Sequence, residues 1–410
     1  MTDTTDLLAV IVGAGHAGGR AAQALRAAGF AGPVVLLGDE PHPPYERPPL
    51  SKELLAGAIP IEKIYLKPAS FYADAGIELR LGARAVELDR NAQRLVLEDG
   101  GTVPYDLLLL TTGTRARRLT IAGDHLPQVR YLRDIADSLA LRERLSPDAR
   151  LVVIGAGFIG LEVAAVARGL GCAVTVIEVA PHPLMRVAAP VIGDWFAAQH
   201  RERGVTLLTG VAVTEISERG RGVAVFTAEG DCIEADVVAV GIGAVPNAEI
   251  AEAAGLEVDN GIIVDEFGRT ADRQVFAAGD VTRHYNPLLH RHLRLEAWQN
   301  AQNQAAAVAK VMAGGSEPHS EIPWYWTDQY GFNFQAAGAP LAWEDLVWRG
   351  SPAEGRFTVF YLHNGKPVAA NAVNNARDIR FAKDMIARDA VVDPARLADP
   401  AVKLADLCRT

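Results

Sequence analysis

The stretch Leu7-Leu8-Ala9-Val10-Ile11-Val12-Gly13-Ala14-Gly15-His16-Ala17-Gly18 decides the architecture. A short, wholly apolar run reads as a strand buried on both faces, and here it passes directly into GxGxxG. Residues 19–28 read as the helix that follows, broken by Gly29 and Gly32. Residues 33–40 then read as a second strand ending in Asp39 and Glu40. The three glycines serve different mechanical ends. Gly13 permits the tight turn, Gly15 lets the backbone approach a pyrophosphate, and Gly18 lets helix and strand pack closely. The helix N-terminus turns unpaired N–H groups and the positive end of its dipole toward the phosphates. A carboxylate at the end of the second strand suits a pair of ribose hydroxyls.

The pattern recurs. Leu151-Val152-Val153-Ile154 leads into Gly155-Ala156-Gly157-Phe158-Ile159-Gly160, a helix is expected over 161–168, and Ala173-Val174-Thr175-Val176-Ile177-Glu178 is a second strand with a terminal acid. One GxGxxG is weak evidence, but two copies with strand, helix, strand and acid are strong. They imply two dinucleotides held by two Rossmann-like domains in an α/β chain. Glu178 would accept from the 2′- and 3′-hydroxyls of an adenosine ribose and repel a 2′-phosphate. No arginine pair follows directly in Val179-Ala180-Pro181-His182-Pro183, so NADH is expected over NADPH.

With 410 residues the chain has room for two or three domains, and 49% hydrophobic residues allow each an ordinary core. The formal charge of −10 disfavours nucleic-acid binding, which depends on neutralising phosphates. No apolar run approaches the length of a membrane helix, and residues 1–6 lack the basic start and apolar stretch of a secretory signal. A cytoplasmic protein without membrane or nucleic-acid partners is expected. The three cysteines, Cys172, Cys232 and Cys408, stand far apart. That spacing excludes a local redox disulfide and a Cys-ligated iron–sulfur cluster, and no metal site is expected.

Two further segments carry information. Pro104-Tyr105-Asp106-Leu107-Leu108-Leu109-Leu110-Thr111-Thr112-Gly113 reads as a strand ending at a small-residue turn. Val275-Phe276-Ala277-Ala278-Gly279-Asp280 reads as a short strand in which Gly-Asp opens a new segment, with Asp280 a possible helix N-cap. The first GxGxxG, the Thr-Thr-Gly strand and this Gly-Asp segment, arranged around an inserted second GxGxxG, resemble the two-dinucleotide flavoprotein reductases. Tyr45-Glu46-Arg47-Pro48-Pro49-Leu50-Ser51-Lys52, Arg294-Leu295-Glu296-Ala297-Trp298-Gln299-Asn300 and Trp324-Tyr325-Trp326-Thr327-Asp328-Gln329 narrow the resemblance. Together they make nearly the whole chain similar to the FAD-dependent, NADH-using ferredoxin reductases of bacterial oxygenase systems, the putidaredoxin reductase-like family.

The resemblance implies a glutathione-reductase-like pair of nucleotide domains and a C-terminal α+β domain with an antiparallel sheet. The FAD domain is expected over 1–112 and 246–322, the NADH domain over 113–245, and the C-terminal domain over 323–410. FAD would take Gly13, Gly15, Ala17 and Gly18, with Asp39 or Glu40 at the ribose and Arg47 in the same loop as Lys52. Ala85, Thr112, Gly113 and Arg133 would line its adenine and pyrophosphate side. Gly279 and Asp280 would hold the ribitol, with a helix N-terminus at Asp280 aimed at the flavin, and Trp298 would sit against the ring. NADH would take Gly155, Gly157, Phe158, Ile159, Gly160 and Glu178, with Arg186 toward the adenosine half and Gly241-Ile242-Gly243 near the nicotinamide. Lys52, beside the isoalloxazine, and Glu162, meeting the nicotinamide amide, are the catalytic candidates. Lys52 also reads as a solvated lysine after a Pro-rich loop, and Glu162 as a surface charge.

In the C-terminal part, residues 356–362 and 367–373 flank His363-Asn364-Gly365-Lys366 and read as a hairpin, with a helix expected over 377–388. NADH gives two electrons whereas a 2Fe–2S ferredoxin accepts one, and a flavin converts between them. Without paired cysteines, electrons must pass directly from the ring to a docked partner. Arg291, His292, Arg294 and Lys310, and separately Arg377, Arg380 and Lys383, are basic groups suited to an acidic partner. A flavin monooxygenase and an NADH-responsive redox-sensing flavoprotein are the competing readings.

Overall fold

The computed structural model describes residues 4–340 and 342–408, so positions 1–3 of the N-terminal tract and positions 341, 409 and 410 of the C-terminal part lie outside the description. The chain forms two units. The first comprises the residues up to Arg47, Ile61–Arg115 and Val245–Pro323; the second comprises Pro48–Pro60, Ala116–Ala244 and the chain from Trp324 on.

The first unit is built on a five-stranded parallel sheet ordered Val275–Ala277, Leu107–Leu110, Ala9–Val12, Val34–Leu37, Ile77–Arg80. Ala9 aligns with Val34 on one side and Leu107 on the other. Both faces of the central strand are covered, since Ala9, Val10 and Ile11 are fully buried, which is why they read as a continuous apolar run. The helix His16–Ala27 begins at once after the glycine turn. A three-stranded antiparallel sheet, Ala85–Asp89, Arg94–Leu97 and Thr102–Pro104, adds a second layer.

The second unit repeats the parallel sheet in the order Thr206–Thr209, Ala173–Glu178, Arg150–Ile154, Val237–Val240, Val129–Tyr131. The helix Phe158–Gly169 follows its glycine turn. The C-terminal stretch forms a five-stranded antiparallel sheet ordered Trp324–Gln329, Phe332–Gly338, Lys366–Val373, Arg356–His363, Asp345–Ser351. The expected hairpin is present, and Asn364 and Gly365 both take positive φ, at 52° and 74°, as a type I′ turn requires. The helix Ala376–Ala387 covers the sheet.

Residues 116–244 and 324–410 form one unit because they share a core. Leu151, Val153, Phe196, Phe334, Phe357 and Tyr361 belong to a single buried cluster. Trp195 stands edge-on to Phe196, Phe332 and Phe357 at 5.1, 5.0 and 5.5 Å. The Ala189 N–H donates to the Tyr361 hydroxyl at 2.7 Å, tying the entry of the helix Pro190–Glu202 to the antiparallel sheet.

The sequence reading differs from the structure at two places. Pro48–Pro60, counted there with the first nucleotide fold, packs in the second unit. Leu55 joins that unit's core, and the Ser138 hydroxyl donates to the Leu50 carbonyl at 2.7 Å. Nor does Asp280 open a helix: the strand Thr282–Asn286 follows it. Thr282 turns back to Gly279, its N–H and hydroxyl both donating to the Gly279 carbonyl at 3.0 and 2.8 Å, and the chain then pairs with Ile262–Val264. The helix in this region is Trp298–Met312, whose Gln304 accepts the Gly279 N–H at 2.8 Å.

Candidate functional site

In both nucleotide folds the three glycines divide by what surrounds them. A Cβ on Gly13 would lie 2.4 Å from the Thr111 carbonyl oxygen, and one on Gly18 would lie 2.0 Å from the Gly13 oxygen. Likewise, Gly155 would meet the Gly241 oxygen at 2.5 Å and Gly160 the Gly155 oxygen at 2.0 Å. Gly13 and Gly155 also hold φ of 106° and 102°, open only to glycine. Protein packing therefore explains these four. It does not explain the middle glycines. A Cβ at Gly15 would come no nearer than 3.8 Å, to Arg47 Nη2, and one at Gly157 would meet nothing within 4 Å among the described residues. Neither position is closed off by backbone, Gly15 having only the Arg47 side chain at contact distance, and each stands at the start of a helix that no side chain caps. A pyrophosphate fits both places, since it needs close backbone approach and N–H donors.

Within the first unit, the structure gathers most of the expected groups. Ala17 lies against Gly279, whose Cβ position is 2.9 Å from the Ala17 Cβ. Thr112 donates through its hydroxyl to the Asn247 carbonyl at 2.7 Å, and the Gly113 carbonyl accepts the Asn247 N–H at 2.9 Å, fixing the turn after the Leu107–Leu110 strand. Glu40 is engaged by the protein, accepting from the Tyr45 hydroxyl at 2.5 Å and from Arg47 at 2.9 Å. Asp39 beside it is exposed. Burial works against the Arg47 charge, but Tyr45, Glu40 and Asp280 outweigh it and hold the guanidinium above its ordinary pKa. Ala85 lies on the small antiparallel sheet.

The sequence reading missed His16. It is buried, and both of its ring nitrogens lack a hydrogen-bond partner among the described residues. Its ring lies 5.3 Å from that of Trp298. Burial and the charges of Arg20 and Arg47 push its pKa down to about 3, so the imidazole is neutral. Two buried, unpartnered nitrogens in the glycine turn are consistent with a polar ligand there.

In the second unit, Gly241 closes on the glycine turn, its Cβ position 3.4 Å from the Gly160 nitrogen. Exposed Arg186 reaches within 3.3 Å of the Gly243 Cβ position. Phe158 and exposed Ile159 open the helix, and Ile242 is half-buried beside Gly243. Glu178 accepts from two backbone N–H groups, Ala156 at 2.6 Å and Ala180 at 2.8 Å. Each carboxylate oxygen keeps a second lone pair for a ribose hydroxyl. Arg133 lies in this unit, its N–H donating to Asp137 in the capping box of the helix Ile135–Arg142.

The densest chemistry of the second unit surrounds Glu162. The residue is 5% exposed, one turn into the helix Phe158–Gly169, so it is no surface charge. Lys52 Nζ lies 3.3 Å from Glu162 Oε1, the Thr327 hydroxyl donates to the same oxygen at 2.6 Å, and the Ser51 hydroxyl donates to Oε2. Lys52 is also held over the Trp326 ring, 5.3 Å from its centroid, so it is not a solvated lysine. Burial pushes the Glu162 carboxyl above the usual range, while the Lys52 charge and the two hydroxyls pull it back. Ser51 and Thr327 lie in stretches that carry the resemblance, but nothing in the sequence joins them to Glu162, because partners 111 and 165 positions away follow no periodicity.

Of the basic groups, Arg294 is paired with Glu296 at 2.5 Å and nearly buried, whereas Lys310, Arg377 and Arg380 are exposed. The cysteines are free, with Cys172 buried, Cys232 exposed and Cys408 half-buried. Among the described residues no helix is long and apolar enough to cross a membrane.

Comparison with known proteins places this geometry. Residues 8–305 match the family described as pyridine nucleotide-disulphide oxidoreductase, and residues 324–408 match the family described as reductase C-terminal. The ferredoxin–NAD(+) reductase component of the anthranilate 1,2-dioxygenase system of Burkholderia cepacia is 48% identical, over 96% of this chain and 98% of its own length. The crystal structure of a cytochrome-system ferredoxin reductase from Rhodopseudomonas palustris superposes with a TM-score of 0.95 at 39% identity, covering 98% of this chain and 100% of that one. A covalent putidaredoxin reductase–putidaredoxin complex also gives 0.95, at 37% identity, covering 99% of each chain.

Proposed function

This chain belongs to the pyridine nucleotide-disulphide oxidoreductase family, and on that premise we propose that it is an FAD-dependent NADH–ferredoxin reductase serving an oxygenase system. The observation that carries this reading is the likeness, over nearly the full chain, to ferredoxin reductases of such systems. The free cysteines agree with it, since a dithiol relay has no pair to use. When bound, FAD supplies the conversion between two-electron and one-electron chemistry.

The protein's own contribution is to hold and orient. Gly13, Gly15, Ala17 and Gly18 would receive the FAD pyrophosphate against the helix His16–Ala27. Asp39 is the acid for its ribose, because Glu40 is committed to Tyr45 and Arg47. Thr112, Gly113, Ala85, Gly279, Asp280 and Trp298 complete the first unit's part. Gly155, Gly157, Phe158, Ile159 and Gly160 would receive NADH, with Glu178 at its ribose, Arg186 toward its adenosine, and Gly241-Ile242-Gly243 and Glu162 toward the nicotinamide. Glu162, paired with Lys52 at 3.3 Å, would meet the nicotinamide amide. The three-part division at 1–112 with 246–322 (less Pro48–Pro60, which packs in the second unit), 113–245 and 323–410, and a place in the cytoplasm, belong to the same proposal.

The test is an anaerobic assay of NADH oxidation by the FAD-loaded protein against a panel of purified 2Fe–2S ferredoxins. Ferredoxin bleaching well above that given by free flavin is expected for at least one. A protein that binds FAD and oxidises NADH but reduces none of them, or that accumulates a flavin–oxygen adduct on mixing with air, overturns the reading.

A further inference from the structure

Behind Glu162 a row of buried polar side chains has no part in the roles above. The Thr327 hydroxyl touches Glu162 Oε1 at 2.6 Å, Gln329 Nε2 touches the Thr327 hydroxyl at 3.2 Å, and Gln329 Oε1 lies 2.8 Å from His200 Nε2. The Tyr330 hydroxyl lies 3.1 Å from His200 Nδ1. Thr327 and His200 are wholly buried and Gln329 is 2% exposed. All of them belong to the second unit, contributed by the helix Pro190–Glu202 and the strand Trp324–Gln329 with the turn after it.

The direction of the row follows from donor counting. With Glu162 carrying its charge against Lys52, 3.3 Å away, the carboxylate only accepts, so the single Thr327 proton goes to Glu162 and the Thr327 oxygen accepts from the Gln329 amide. That places Gln329 Oε1 toward His200, which must donate from Nε2. A neutral imidazole with Nε2–H accepts at Nδ1, from Tyr330. Burial and the Arg203 charge hold the His200 pKa down, which keeps the ring neutral. Every proton in the row therefore points toward Glu162.

We propose that Thr327, Gln329, His200 and Tyr330 are positioning residues forming a one-way chain of donors, which keeps Glu162 ionised and turned in one orientation for the nicotinamide amide. Its link to NADH rests on the proposed function; its effect on the Glu162 carboxyl does not. Hydrogen bonds in such a row polarise one another in the same sense, so the far members act through Thr327. The charges facing the row are Lys52, from the Pro48–Pro60 segment, on Glu162, and Arg203, whose guanidinium stands 4.6 Å over the Tyr330 ring. Arg168 also faces this end, donating to the Arg203 carbonyl at 2.8 Å. None of them supplies a second negative charge, so the donors oppose only the cost of burial.

The test reads the Glu162 carboxyl directly by carbon-13 NMR of glutamate-labelled holoenzyme without NADH, the signal being assigned by its loss in Glu162→Gln. In Thr327→Val, proton affinity at Glu162 should rise about tenfold, shifting its titration up by about one pH unit. Thr327→Ser should restore it, and His200→Phe should shift it the same way by less. The acid limb of kcat/KM for NADH, measured with ferricyanide as acceptor, should move with the NMR titration. If Glu162 titrates alike in wild type, Thr327→Val and His200→Phe, the donor chain is refuted. If the titrations shift but the wild type does not oxidise NADH, the reductase reading fails while the chain stands. Tyr330→Phe, at the less buried end, serves if the core variants do not fold, and an unchanged titration there refutes the chain's outer half.

Discussion

Lys52 and Glu162 form a nearly buried ion pair at 3.3 Å, their side chains only 12% and 6% exposed. Lys52 comes from the loop after Pro48-Pro49 and Glu162 from the helix of the second glycine turn. Removing one member leaves the other charge buried. Lys52→Met should therefore destabilise the protein by about 3 to 5 kcal/mol, and adding Glu162→Gln should recover much of that loss. The sign with pH follows from the raised Glu162 pKa. Stability from such a group is fully present below its unfolded pKa and is lost as pH rises through the folded value. Without Lys52 that pKa rises further, so the loss should be larger in mildly alkaline than in mildly acid buffer. Urea unfolding across pH checks both points, and a pH-independent loss would contradict the pairing.

The glycines of one turn should separate folding from binding. Gly157→Ala places a methyl in open space, so stability without NADH should stay within about 0.5 kcal/mol of wild type. NADH affinity should nevertheless fall about tenfold or more, because the methyl occupies the approach to the backbone. Gly155→Ala combines φ of 102° with a 2.5 Å approach to the Gly241 oxygen and should cost about 2 to 4 kcal/mol before any ligand is added. Thermal unfolding paired with NADH titration reads both.

Glu178 sets the predicted choice of coenzyme. Glu178→Gln removes the charge that would repel a 2′-phosphate, and the NADH-to-NADPH ratio of kcat/KM should fall about tenfold or more. Some stability should be lost too, since an amide has one acceptor oxygen for the Ala156 and Ala180 N–H groups that the carboxylate serves with two. Equal kcat/KM for the two coenzymes in the wild type would contradict this assignment.

Acid sensitivity should trace in part to His284. Burial, with His319 and His292 nearby, pushes its pKa down to about 3, and both ring nitrogens lack hydrogen-bond partners among the described residues. For a depressed histidine, stability is present above the unfolded pKa and is lost as pH falls from there toward the folded value. Between about pH 6.5 and 3 this residue should contribute a slope approaching about 1.4 kcal/mol per pH unit. His284→Phe should flatten the fall of stability in that window, measured by unfolding at a series of pH values.

Much of this molecule was legible in one dimension. Parallel strands buried on both faces must be apolar throughout, so Leu151–Ile154 announced itself, and a phosphate turn needs its glycines at set spacing. The Asn364-Gly365 turn was equally plain, because few residues accept two successive positive φ values. The helix expected after Asp280 was not there, because pairing with Ile262–Val264 outweighed a capping signal that is only local. The Pro48–Pro60 loop is near the first glycine turn in the chain, but the apolar surface that receives Leu55 belongs to the second unit.

The sequence alone determined that the chain holds two nucleotide folds, which acids end their second strands, and that no local cysteine pair is present. Those features depend on covalent spacing, on period and on counts. Only the tertiary structure decided that no backbone crowds the middle glycines, that Glu40 is committed while Asp39 stays exposed, and that Thr327, Gln329, His200 and Tyr330 line up behind Glu162. Hydrogen-bond partners across a core are chosen by where packed elements bring them, and a side chain carries no mark in the sequence of the distant group it will meet.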